Sequence, residues 1–151
     1  AYEISTRDWS SDVCSSDLDA FVDAVALLKV LLDARSDHAA VDVWIIRERT
    51  RLGFEDTEHL LQRMLEVGWV GRMRPQRSVA ISLRRRVQAK HDRWVLLANP
   101  DKLTLAEVFK LFAFSPAPDS SLSQQVAALL NRDLSVPLAD HFKALSENAK
   151  S

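Results

Sequence analysis

The side chains best placed to do chemistry in this sequence are arginines. Between positions 72 and 93 stand Arg72, Arg74, Arg77, Arg84, Arg85, Arg86, Lys90 and Arg93, against one acid, Asp92. That stretch carries +7 in a chain whose net charge is −1, so the remainder carries −8. Guanidinium groups at this density neutralise phosphates without reading what the phosphates are attached to. A nucleic-acid backbone is one such partner. An anionic lipid surface is another, where each basic residue close to the headgroups contributes about 1 kcal/mol. These eight residues are the candidate contacts to an anionic surface. No aromatic residue lies between Arg74 and His91, so a stacking platform for single-stranded bases is missing.

The other reactive side chains do not form a constellation. His38, His59, His91 and His141 show neither His-x-His nor His-x-x-x-His spacing, which would bring two imidazoles to one metal. Glu55 and His59, four apart, read as a helix-surface pair. Asp140 and His141 sit on an amphipathic stretch. Cys14 is the only cysteine, so neither a disulfide nor a cysteine-based metal site within the chain is expected. With three glycines, Gly53, Gly68 and Gly71, there is no glycine-rich phosphate loop. No catalytic, cofactor or metal site is expected, and the chain reads as non-enzymatic.

The elements that position the arginines follow from periodicity. Phe21, Val25, Leu28 and Leu32 recur at helical spacing and predict a first helix over 19–35. A second is predicted over 41–52, with Val41, Trp44, Ile45 and Leu52 inward and Arg47, Arg49 and Arg51 largely outward. Gly53 is expected to make the tight turn. A third helix over about 55–67 carries Leu60, Leu61, Met64 and Leu65 inward and stops at Gly68. Two short strands follow, 69–73 and 93–98, paired as a hairpin around the basic loop. Helix, turn, helix, then a hairpin is the pattern of a winged helix-turn-helix domain.

Three further segments have clear start signals. Thr104-x-x-Glu107 is a capping box with Leu103 and Val108 as its hydrophobic staple, and Val108, Phe109, Leu111 and Phe112 are expected to be buried. Residues 115–119 read as a Pro-containing linker. Ser121-x-x-Gln124 is expected to cap a helix bearing Val126, Leu129 and Leu130. Ser135 and Pro137 open a last helix with Leu138, Phe142 and Leu145 on one side. The expected fold class is mainly α with a small β-hairpin: a winged helix-turn-helix domain over 19–114, a helical extension over 119–146 and a frayed tail over 147–151.

Residues 1–18 stand apart. Their Ser- and Asp-rich run lacks helical or strand periodicity and resembles the conceptual translation of a sequencing-library adapter, so a disordered leader is expected, with natural sequence upstream of Asp19 missing. No run is apolar enough to span a bilayer. The best, 20–32, contains Asp23 and Lys29 and falls short of the roughly 20 apolar residues needed. The fragment alone is expected to be soluble.

The third helix bears on the partner. Its outward residues are Glu55, Asp56, Glu58, His59, Gln62, Arg63 and Glu66. Carboxylates meet phosphate repulsion and find a natural donor on a base edge only at cytosine N4, so this helix is a poor groove reader. The alternative, a soluble DNA-binding regulator, would have to work through Arg47, Arg49, Arg51 and the wing.

Several stretches together resemble the C-terminal region of the YihY/BrkB family, the ribonuclease BN-like inner-membrane proteins of bacteria. They are Ala24-Val25-Ala26-Leu27-Leu28, the run from Leu60 to Leu65 ahead of Gly68-Trp69-Val70, Trp94-Val95-Leu96, the run from Leu103 to Phe112, and Val136-Pro137-Leu138-Ala139. The resemblance implies an appendage on the cytoplasmic face of an inner-membrane protein of unestablished molecular role, with a multi-helix membrane region upstream. It places no catalytic residue on this chain. The partners it implies are anionic lipid headgroups or the protein's own membrane region, with nucleic acid less favoured.

Overall fold

A computed structural model of the chain describes residues 16–74, 91–114 and 117–150. In order, the elements are α1 (Ser16–Ser36), β1 (Val41–Asp42), α2 (Val43–Thr50), α3 (Phe54–Glu66), β2 (Val70–Met73), β3 (Arg93–Leu96), α4 (Leu105–Phe112), α5 (Ser121–Asp133) and α6 (Leu138–Lys150). The protein is thus mainly helical with one small antiparallel sheet. It divides into two compact units, one running from Leu27 to Ala98 and one combining the residues up to Ala26 with those from Asn99 onward.

In the Leu27–Ala98 unit the sheet has the order β1-β3-β2. Val41 pairs with Trp94, and Trp94 also pairs with Arg72, so β3 is the central strand. Leu27, Leu28, Leu31, Ile46, Leu61, Met64, Val70 and Trp94 are almost wholly buried. The buried pair Trp94 and Leu96 alternates with Arg93 and Val95, as a strand with one covered face must. The α3 C-terminus is closed by a Schellman motif. Gly68 takes φ +76°, its N–H reaches the Leu65 carbonyl at 3.0 Å, and the Trp69 N–H reaches Met64 O at 2.9 Å.

Several sequence expectations need correction here. Val41 is a strand residue, not the start of a helix, so the hairpin gains a third strand. Asp42 then caps α2 by accepting the Trp44 N–H at 2.9 Å. That start sets the helix phase so that Val43 and Ile46 are buried, while Trp44 and Ile45, expected inward, are 57% and 42% exposed. The turn after α2 is made by Arg51, at φ 61°, not by Gly53 at φ −62°. Gly53 instead precedes α3, and a Cβ there would lie 2.9 Å from the Asp56 carboxylate. Its carbonyl accepts from both the N–H and the hydroxyl of the buried Thr57.

In the other unit the capping box forms as expected. Thr104 Oγ1 accepts the Glu107 N–H at 3.4 Å, and Glu107 Oε2 accepts the Thr104 N–H at 2.9 Å. Leu103 and Val108, the staple, are buried. The first-turn N–H groups of Leu105 and Ala106 donate to Val136 O and Leu134 O, so the segment between α5 and α6 satisfies donors the helix itself leaves open. The buried side of α4 is Leu105, Ala106 and Val108, with Phe109 half-buried and set edge-on to Phe21 at 5.1 Å between centroids. The cap of α5 is Ser120, one residue before the expected Ser121. Leu138 and Phe142 are buried on α6 and Leu145 is exposed.

The proposed leader falls mostly on residues 1–15, outside those described. Ser16 to Leu18 form the first turn of α1, where Asp17 and Asp19 complement the positive end of the helix dipole.

Candidate anionic-surface contact

Of the eight candidate residues, Arg72, Arg74 and Arg93 are described. Arg77, Arg84, Arg85, Arg86 and Lys90 lie outside the described residues. Arg72 is on β2, Arg74 immediately follows it, and Arg93 opens β3, so all three gather at one end of the β2–β3 pair. The hairpin brings them together because Arg72 pairs with Trp94 and Met73 with Arg93 in register.

They are not equivalent. The Arg72 guanidinium engages the Asp92 carboxylate through both Nε and Nη2, and it lies 5.7 Å from the Trp94 ring centroid. Its charge is met locally and its planar group is held on a buried ring, which makes it a clamp across the hairpin. Arg74 and Arg93 are exposed and make no ion pair with another described residue. They are the described candidates that can offer charge to an outside anion.

A second arginine–aromatic cluster, absent from the candidate set, occupies the α2–α3 corner. The Arg47 guanidinium carbon lies 5.0 Å from the Trp44 ring centroid and 5.6 Å from that of Phe54. Both rings are more than half exposed, and Arg47 makes no ion pair among the described residues. Its Nε is buried without a hydrogen-bond partner among them. The i, i+3 spacing of Trp44 and Arg47 was the available sequence signal. Placing Trp44 inward concealed it.

The outer positions of α3 keep the acidic character expected of them. Glu55, Asp56, Glu58, His59, Gln62 and Glu66 are exposed, and Gln62 Nε2 donates to Glu66 Oε1 at 3.5 Å. The histidines remain scattered. His38 sits in a turn at φ 56°, His59 and His91 are exposed, and His141 is tilted against Phe142 at 5.4 Å. Among the described residues no three His, Cys, Asp or Glu side chains are grouped to hold a metal ion. No helix among them is long and apolar enough to cross a membrane.

The chain is 42% identical over 130 residues to a UPF0761 membrane protein of Janthinobacterium sp. (strain Marseille), covering 85% of this chain and 30% of that protein. It is related to UPF0761 membrane proteins. A second such protein, from Nitrosospira multiformis, is 25% identical over 146 residues, covering 90% of this chain and again 30% of its own length. UPF0761 is the YihY/BrkB family, to which the sequence resemblance pointed. The chain therefore spans about 30% of the length of the curated relatives it matches. No family model matches it, and no solved structure does.

Proposed function

We propose that this chain is a non-enzymatic interaction region of a YihY/BrkB-like inner-membrane protein, built as a winged helix-turn-helix. In this reading it lies at the cytoplasmic face, with its basic hairpin end against anionic lipid headgroups. One observation carries the reading. The relatives are membrane proteins more than three times longer than the matched region, while no described helix here can cross a bilayer. The order helix, strand, helix, helix, strand, strand, with a β1-β3-β2 sheet, supports the winged-helix description. The +7 between positions 72 and 93 suits the excess of Lys and Arg found on cytoplasmic segments near membranes.

Cosedimentation with vesicles tests this. The chain should bind vesicles containing phosphatidylglycerol, bind neutral phosphatidylcholine vesicles weakly, and release as salt rises. Replacing Arg84, Arg85 and Arg86 by Gln should remove about 3 kcal/mol, roughly a hundredfold in affinity. Absence of salt-sensitive binding, or an unchanged triple variant, would sink the reading. Tight duplex-DNA binding that requires Arg49 and Arg51 would instead favour the regulator. The acidic outer residues of α3 and the stacking of Arg47 against Trp44 and Phe54 weigh against that outcome.

A further inference from the structure

The sheet carries an apolar groove that the basic hairpin does not account for. It has a volume of about 510 Å³, and Arg35, His38, Ala39, Ala40, Met73 and Val95 contribute to its lining. That volume falls within the range of small-ligand sites. Met73 is 54% exposed at its edge, and its cross-strand partner is Arg93, so the two side chains leave the same side of the sheet. Gly71, opposite Val95, adds no side chain to that face of the sheet.

Arg35 is the cation of the groove lining. Arg35 Nη1 donates to Ala98 O at 2.7 Å, which orients the guanidinium, and no described acid pairs with it. The neighbouring carboxylates are committed: Asp33 to Lys29 at 2.6 Å, Asp42 to the Trp44 N–H at 2.9 Å, and Asp92 to Arg72. Asp37, exposed beside His38, is the carboxylate that works against an anion there.

We infer that this groove binds a single anionic amphiphile, with the alkyl chain against Met73 and Val95 and the phosphate or carboxylate headgroup at Arg35. The inference rests on the membrane-peripheral reading for its source of lipid, and it names the class of lipid that the surface takes. The apolar floor and the Arg35 cation are both required. An inorganic anion lacks the first contact and a neutral detergent lacks the second.

Titration of the full chain with dodecyl phosphate below its micellar concentration tests the site. Saturable one-to-one binding is expected. Dodecyl maltoside should bind at least tenfold more weakly, and inorganic phosphate should not displace the amphiphile. Met73→Glu, which sets a carboxylate at the exposed edge, should weaken binding at least tenfold, and Ala39→Phe should do so by filling the groove. Met73→Leu should bind as the parent does, and Asp37→Asn should bind more tightly. Binding by inorganic phosphate alone would assign a free-anion site and overturn the inference. So would the absence of saturable binding, or indifference to both Met73→Glu and Ala39→Phe with circular dichroism unchanged. The Arg84/Arg85/Arg86→Gln variant should keep its dodecyl phosphate affinity. Vesicle binding without amphiphile binding therefore defeats the groove alone, and the converse result defeats the hairpin reading alone.

Discussion

The α2–α3 corner and the hairpin end solve the same local problem in opposite ways. Each sets an arginine on a tryptophan: Arg47 at 5.0 Å from Trp44, and Arg72 at 5.7 Å from Trp94. At the hairpin the ring is buried and Asp92 meets the charge, so the cluster faces inward and holds β2 to β3. At the corner both rings, Trp44 and Phe54, are largely exposed, and no described acid meets Arg47. An arginine in a basic run is thus not automatically surface charge on offer. An arginine outside that run can carry the composition found at binding hot spots, where Trp and Arg are enriched.

Truncating the two tryptophans should separate the regions most sharply. Trp94 is 2% exposed at the centre of the sheet, and Trp94→Ala should cost about 3–5 kcal/mol, the usual range for a buried aromatic. Trp44 is 57% exposed, and Trp44→Ala should cost less than about 1 kcal/mol. Urea unfolding followed by circular dichroism reads both values. Equal losses would mean that the corner is as structural as the hairpin. Next in size is Gly68→Ala, which forces a Cβ into φ +76° and should cost about 1–2 kcal/mol in the same assay, although nothing lies within 4 Å of the added atom.

Those effects also mark what the sequence could disclose. Gly68 as the stop of α3, the Thr104–Glu107 box and the Leu103–Val108 staple were legible because each is a signal within a few residues of its effect. The strand at Val41–Asp42 was not, since two residues show no period and only pairing with Trp94 and Arg93 defines them. Missing that strand moved the start of α2 and turned Trp44 and Ile45 the wrong way. The basic run was plain, but the commitment of Arg72 to Asp92 spans twenty positions and depends on register. The groove was invisible for the same reason, because its lining comes from the end of α1, the α1–β1 turn, β2 and β3.

Smaller effects test whether the two arginine clusters differ in kind. Arg72 and Asp92 are partly exposed, with side-chain exposures of 34% and 24%, so water screens the pair and its coupling should be about 0.5–1 kcal/mol. A double-mutant cycle with Arg72→Gln and Asp92→Asn should show that coupling shrinking between low and high salt, because both charges are partly exposed and the ionic atmosphere stabilises each of them when they are apart.

The cycle with Arg47→Gln and Trp44→Leu should give the smallest value, about 0.5 kcal/mol, and it should scarcely change with salt. The attraction there is between a charge and a ring quadrupole, supplemented by dispersion over the stacked area, and both decay within a few ångströms. The ring carries no net charge for salt to screen, so the coupling that survives in concentrated salt belongs to the stack. If the Arg47–Trp44 coupling instead fell with salt as steeply as that of Arg72 and Asp92, an acid beyond those described would have to be meeting Arg47. The contrast between a clamped hairpin and an outward-facing corner would then collapse into two versions of the same clamp.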